Sequence, residues 1–324
     1  MNKILIIQTA FIGDVILATP LIESIYKKYP EAKIDFLLRK GNEGLLENHP
    51  FLNKQIIWDK KDGKIKKLLN ILKIIRAEKY DYVINCQRFL SSGIYTAFSN
   101  ATNRVGFDKN PLSFLFTHKI KHSIEKGVHE IERNHALISF LQAMPSKMKL
   151  YPSEQNIKKT AIYKAKPYIC IAPTSVWFTK QYPANKWVEL INCLTNYTIY
   201  LLGGSADQKA CQQIIETSSH TDIQNLSGKL SFLDTAALMK DAVMNYVNDS
   251  APLHIASAMN ATVTAIFCST VLDFGFGPQS DFSKVVEIRQ QLNCRPCGLH
   301  GRRACRLTHF NCANKIELSD LLIN

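Results

Sequence analysis

Short apolar runs alternate with helical patterns along this chain, and the alternation runs through it twice. In the first half, strand-like runs at residues 4–7, 34–38, 55–58 and 82–85 are separated by helical patterns at 15–29, 41–48 and 64–79. Strands this apolar, joined by helices, build a mostly parallel sheet covered on both faces. Beyond Arg104 the pattern is less regular until a helix is expected over 128–144, carrying His129, Glu130 and Arg133. Residues 145–166 are polar, lysine-rich and weakly periodic. The rhythm then restarts, with strands expected at 168–172, 198–202, 243–247 and 262–267 and helices at 183–194, 207–218, 232–240 and 254–259. The expectation is an α/β chain of two successive domains, 1–155 and 156–324, with the last helix packing back on the first domain. Ligands of open α/β sheets bind beyond the carboxyl ends of the strands, so a cleft between the two domains is expected to hold the site. At 324 residues and 46% hydrophobic composition the chain can bury two cores of that kind. No internal repeat is visible by sequence identity.

Four strand-to-helix turns carry candidate chemistry. Gly13-Asp14 follows the first strand, where free amides of a helix start favour a carboxylate; the residue serves either as a helix cap or as a functional acid facing the cleft. The stretch 172–183 offers the hydroxyls of Thr174 and Ser175 and the compact cation of Lys180, which suits a phosphate or simply solvent. At 201–207, Gly203 and Gly204 allow close approach to the backbone, and Asp207 could bind ribose hydroxyls, with Gln208 beside it. The fourth turn, Asn248-Asp249-Ser250-Ala251-Pro252, opens a helix containing His254; its amides can hold an anion or be capped by Asp249 or Ser250. None of these matches Gly-x-Gly-x-x-Gly or a P-loop, which argues against hydride transfer and P-loop NTPase chemistry.

In their order, these pieces resemble the ADP-heptose:lipopolysaccharide heptosyltransferases, glycosyltransferase family nine. The resemblance rests on Gly13-Asp14-Val15, residues 172–183 with Lys180, Leu202-Gly203-Gly204, Asn225-Leu226-Ser227-Gly228-Lys229, residues 248–256, Phe276-Gly277-Pro278 and the cysteine-rich tail. It implies a GT-B architecture of two Rossmann-like domains, an acceptor domain and a nucleotide-sugar domain, facing across a cleft. It also implies an inverting transfer of heptose from ADP-heptose to a Kdo-lipid A type core acceptor, with no metal or other cofactor. Asp14 would be the general base. Thr174, Ser175, Lys180, Gly204, Asp207, Asp249, Ser250, Ala251 and His254 would line the donor site, with Lys180 meeting the phosphates and Lys229 and Leu230 approaching the adenine. The family commonly has glycine where this chain has Ala251, so a methyl group stands where a diphosphate would come close.

Charge adds to the acceptor side of this expectation. Residues 1–150 hold 24 Lys and Arg against 14 Asp and Glu, and the remainder 16 against 13. Lys60, Lys61, Lys64, Arg104 and Arg133 are candidates for gripping an acidic acceptor, and the same surface suits an anionic membrane. No run approaches the ~20 apolar residues of a membrane span. The first residues read as a strand, since Gln8 and Asp14 interrupt any signal-like run. Nine cysteines, an odd count scattered through a core-rich chain, favour a reducing cytoplasm; the resemblance implies peripheral attachment at the inner membrane. Cys294, Cys297, Cys305 and Cys312 form one C-x-x-C pair and one wider pair, open to structural zinc or to free or paired thiols. Two other readings stand beside the heptosyltransferase: the same fold with another nucleotide sugar, and a zinc-stapled nucleic-acid-binding protein. The absence of helix-turn-helix, RRM or KH signatures speaks against the latter, so no nucleic-acid partner is expected.

Overall fold

The computed structural model describes residues 3–59 and 64–322 and divides into two compact units, Met1–Tyr151 and Pro152–Asn324. The first unit contains β1 (Lys3–Ile7), α1 (Ile12–Lys28), β2 (Lys33–Arg39), β3 (Lys54–Trp58), α2 (Lys64–Glu78), β4 (Tyr82–Asn85), α3 (Leu90–Ala97), β5 (Asn103–Phe107), β6 (His118–Ile120) and α4 (Glu130–Ala136). All its strands are parallel, in the order β3-β2-β1-β4-β5-β6. Ile4 to Ile7 of β1 are fully buried, as a central strand covered on both faces requires. Helix α1 tolerates Pro20 because Thr19 Oγ1 donates to the Ile16 carbonyl, which proline leaves without its usual amide donor.

The second unit contains α5 (Glu154–Thr160), β7 (Tyr168–Ala172), α6 (Ala184–Cys193), β8 (Thr198–Leu201), α7 (Gln208–Thr217), β9 (Ile223–Asn225), α8 (Phe232–Lys240), β10 (Met244–Asn248), α9 (Ala251–Ala258), β11 (Val263–Phe267), β12 (Ser283–Glu287) and α10 (Asn311–Asn314). Its sheet is again parallel, in the order β12-β11-β10-β7-β8-β9. Counted within each unit, both sheets follow 3-2-1-4-5-6, the doubly wound order of dinucleotide-binding folds. A repeat invisible in residue identity is therefore present in topology.

Several elements differ from the sequence expectation. The helix expected at 41–48 is a single 3-10 turn, Glu43–Leu45, because Gly41 takes a φ of 97° and the Glu43 carboxylate binds its amide. The helix expected over 128–144 stops at Ala136; a 3-10 turn, Ser139–Leu141, follows and ends at left-handed Gln142. The segment read as a linker contains α5, closed by a reciprocal cap between Ser153 and Asn156. The chain's last helix, α10, packs into the core of the second unit, where Ala313 is fully buried and the Tyr246 hydroxyl donates to the Leu321 carbonyl at 2.5 Å.

Candidate active site

In each sheet the chain reverses its direction of growth between two central strands, β1/β4 in the first unit and β7/β10 in the second. The loops beyond their carboxyl ends splay apart at such a point and leave a crevice. Each unit therefore has one natural place for a ligand, and the candidate residues are distributed between them.

In the second unit, Asn248 at the end of β10 is fully buried and stitches the loop that follows β7. Its Oδ1 accepts from the Tyr182 amide at 2.8 Å, and its Nδ2 donates to the Pro173 carbonyl at 2.9 Å. Both ends of loop 173–182 are thereby fixed to the neighbouring strand. Lys180 is carried on a 3-10 turn in that loop, Phe178–Lys180, with its side chain 14% exposed. Its Nζ lies 2.7 Å from Asp249 Oδ2, which also accepts from the Thr270 hydroxyl at 2.6 Å. Lys180 and Asp249, 69 positions apart, are thus ion-paired partners across β7 and β10. Thr174 and Ser175 are half-buried on the same loop. Ser250 is the N-cap residue of α9, but its side chain caps no amide and lies 3.4 Å from the Asn248 carbonyl. In the first turn of α9, Pro252 has no amide hydrogen and Leu253 donates to the Ser250 carbonyl at 3.0 Å, so the Ala251 amide is the one that hydroxyl leaves uncapped; His254 is buried in the same helix. Ala251 is the first helical residue, outside the positive-φ positions, so its backbone makes no demand for glycine.

Two further loops meet beside this point. The Asp207 carboxylate accepts from the Gly204 amide at 2.7 Å and closes the 3-10 turn Ser205–Asp207. Its first task is therefore capping, which the ribose expectation did not foresee. A Cβ on Gly203 would stand 2.8 Å from Asp207 Cβ, so that position needs glycine for space. Gly228, with φ of 72°, donates its amide to the Gly203 carbonyl and brings Lys229 and Leu230 alongside 203–207. Lys229 is exposed and Leu230 half-buried.

In the first unit, Asp14 sits in the first turn of α1, where its carboxylate accepts from the Phe11 amide at 3.1 Å. Around the ends of β1 and β4 lies a buried amide network. Thr9 Oγ1 donates to Gln87 Oε1 at 2.9 Å, the Gln87 amide donates to Asn85 Oδ1, and Gln8 accepts from Gln87 Nε2. Glu130, at the start of α4, is the residue the sequence reading left without a role. Burial raises its carboxyl above the ordinary range; Arg133 opposes that rise and the charge of Asp14 adds to it. Asp14 and Glu130 are therefore electrostatic neighbours, with Arg88 facing the same group.

The acceptor candidates fare unevenly. Arg133 is buried, with Nε 2.7 Å from Glu130 Oε2 and a second bond to the Val128 carbonyl, so it is a paired cation rather than a displayed one. Arg104 stands in register with Val83 in mid-sheet and sends its guanidinium to the carbonyls of Ala101 and Leu115. It is not brought to the carboxyl edge where Asp14 lies. Lys60 and Lys61 fall outside the described residues, and Lys64 begins α2. Exposed Arg88, just after β4, is a cation that the structure does place at that edge, as is Arg39 at the end of β2.

The four tail cysteines do come together. Cys294, Cys297, Cys305 and Cys312 line one pocket of about 300 Å³, shared with Thr179 and Arg302. All four are free thiols, and among the described residues no group of three or more His, Cys, Asp or Glu is arranged to hold a metal ion. Burial and the neighbouring cysteines push the Cys312 thiol up to about 12, and burial raises Cys297 as well.

Comparison with known proteins bears on this geometry. The family model described as "Glycosyltransferase family 9 (heptosyltransferase)" matches residues 68–305. Lipopolysaccharide heptosyltransferase 3 of Escherichia coli K12 is 31% identical over 283 residues, covering 80% of this chain and 80% of that protein. Among solved structures, a glycosyl transferase family 9 protein from Veillonella parvula superposes with a TM-score of 0.80 at 21% identity, over 88% of this chain and 85% of its own. The E. coli ADP-heptose lps heptosyltransferase II superposes with a TM-score of 0.78 at 21% identity, over 98% and 97%. These two share the fold.

Proposed function

The chain belongs to glycosyltransferase family 9, the heptosyltransferases, and from that premise we propose that it transfers heptose from ADP-heptose to the inner core of lipopolysaccharide. The observation that carries this reading is the β7/β10 crevice, where Lys180 and the uncapped start of α9 stand on adjacent loops. A cation beside the Ala251 amide at a helix start suits a phosphate group of a nucleoside diphosphate.

In the proposed reaction, Asp14 takes the proton of an acceptor hydroxyl, whose oxygen attacks the anomeric carbon of the heptose. The bond from that carbon to the β-phosphate oxygen breaks, the anomeric configuration inverts, and ADP departs. Lys180 and the Ala251 amide at the start of α9 meet the charge that develops on ADP, so no metal is called for at that step. Thr174, Ser175, Ser250, Ala251 and His254 are assigned to the donor's phosphates and sugar. Gly204, Asp207, Lys229 and Leu230 are assigned to its nucleoside. Glu130 holds a second carboxyl beside the base, and Arg88, with the lysines at the start of α2, meets the acidic acceptor.

We also place the enzyme in the cytoplasm, peripheral to an anionic inner-membrane surface, with no nucleic-acid partner. Support for the membrane surface comes from α2, where Ile65 and Leu69 are exposed one turn apart beside Lys66. Apolar side chains flanked by lysine suit an acidic lipid interface. No described helix is long and apolar enough to cross a membrane.

A thermal-shift series with ADP, UDP and GDP tests the donor class, and turnover of ADP-heptose with and without EDTA tests the chemistry. Stabilisation by ADP alone and EDTA-resistant formation of an inverted glycoside are the expected results. Stabilisation by UDP instead would transfer the reading to another nucleotide sugar.

A further inference from the structure

Lysine is a poor clamp unless its backbone and stem are held, because its four-carbon side chain carries about 2 kcal/mol of rotamer entropy. The ion pair with Asp249 fixes the head of Lys180. What fixes the rest is the neighbouring residue, Thr179, which the proposed reaction leaves unused. Thr179 is 1% exposed. Its Oγ1 accepts from the Arg302 amide at 2.8 Å and from the Ser269 hydroxyl at 2.9 Å, and its own amide donates to the Arg302 carbonyl at 3.1 Å. One side chain thus joins the donor loop, the loop after β11 and the cysteine-rich tail. The tail reaches the same strand end by a second route, since the Cys297 amide donates to the Ser269 carbonyl at 2.9 Å. Gly301, at φ of 74°, brings the tail backbone against the lysine stem; a Cβ there would stand 2.9 Å from Lys180 Cγ. Phe178 and Phe310 stack beside it with ring centroids 5.2 Å apart.

Resting on the donor site proposed above, we propose that Thr179 is a positioning residue that holds Lys180 in place for the donor's phosphates, and that the four-cysteine tail is the brace through which it does so. Ordering the loop before nucleotide arrives removes an ordering cost from binding. The tail's part in the enzyme is then mechanical: it supplies the backbone amide and carbonyl of Arg302 and the flat surface of Gly301.

Two measurements on the full chain test this. Calorimetric titration of ADP should show about tenfold weaker binding for Thr179→Val, which keeps the shape and loses the hydroxyl, and wild-type affinity for Thr179→Ser. In a Lys180→Gln background, Thr179→Val should cost nothing further, because the residue it positions is gone. Wild-type affinity in Thr179→Val, or an equal loss in both backgrounds, overturns the proposal. Amide exchange without nucleotide reads the brace directly: Thr179 and Lys180 amides should lose protection in Thr179→Val and in Gly301→Ala but not in Thr179→Ser. Unchanged exchange in Thr179→Val overturns the brace. Faster exchange in a chain whose wild type binds no ADP retains the brace and rejects the donor reading.

Discussion

The two units share one strand order, yet they place different charged groups at the same topological point. In the second unit a lysine and an aspartate from adjacent loops neutralise each other at 2.7 Å. In the first, two carboxyl groups, Asp14 and Glu130, sit as electrostatic neighbours, and Arg133 is ion-paired with Glu130. A framework of parallel strands fixes where a site is, while the loop residues decide whether it attracts an anion or takes up a proton. In the proposed reaction, the second unit would handle the leaving group and the first would supply the base.

Substitutions at the two points should separate these roles. The largest effect is expected for Asp14→Asn, which should lower kcat by about 10³-fold while ADP affinity stays at the wild-type value. Unimpaired turnover would remove Asp14 as base. Lys180→Gln should do the converse, weakening ADP binding by roughly 10- to 100-fold through loss of a charge-assisted contact. If calorimetry shows equal affinities, the second unit's clamp lies elsewhere.

Acid should distinguish the units as whole bodies. Burial holds His49 at about 4, and burial with Arg88 and Arg133 nearby holds His122 at about 4, so both fold as neutral rings. Between an ordinary value of ~6.5 and 4 the unfolded chain binds protons that the folded first unit refuses, so its stability falls as pH falls through that window, by about 3 kcal/mol at most for His49. In the second unit, burial would raise Asp234, but Lys159, Asn156 and Ser231 outweigh it and hold it at about 2. Its contribution survives until pH drops from ~3.8 toward 2. Exchange mass spectrometry along an acid titration should show the first unit opening at the higher pH. The smallest effect belongs to Arg104→Gln, expected to cost about 1 kcal/mol in denaturant unfolding and to leave the acceptor KM unchanged. A raised KM would return Arg104 to the acceptor site.

What the sequence makes legible follows from burial. Strands β4 and β7 and helix α8 coincide with their expected bounds, because each is a bounded run with a strong pattern. Strands β6, β9 and β12 escape notice because edge strands are short and mixed in polarity, as in Ser283–Glu287. Helix α5 reads as linker because its seven residues hold one large aliphatic side chain, Ile157, and that is 51% exposed. Asp14, Lys180 and the 248–254 turn could be singled out as candidates because strand-to-helix turns in an α/β chain gather at the carboxyl edge of a sheet. The Lys180–Asp249 pair could not, since only the adjacency of β7 and β10 brings residues 69 positions apart together. Arg133 misled because a basic residue on a helix reads as exposed unless its partner three positions earlier is known to be buried with it.

That same pair has a consequence for what the crevice admits. Asp249 is an anion tethered to the site, and a tethered group competes at an effective concentration that dilute chloride, phosphate or sulfate does not match. A single small anion gains only Lys180 by displacing it. In the proposed donor site, a nucleoside diphosphate would bring two linked phosphates, one for the lysine and one for the Ala251 amide at the start of α9, and would gain on both. In that proposed site the carboxylate would act as a selectivity device, shutting the clamp to ordinary salts and leaving it open to a bidentate ligand.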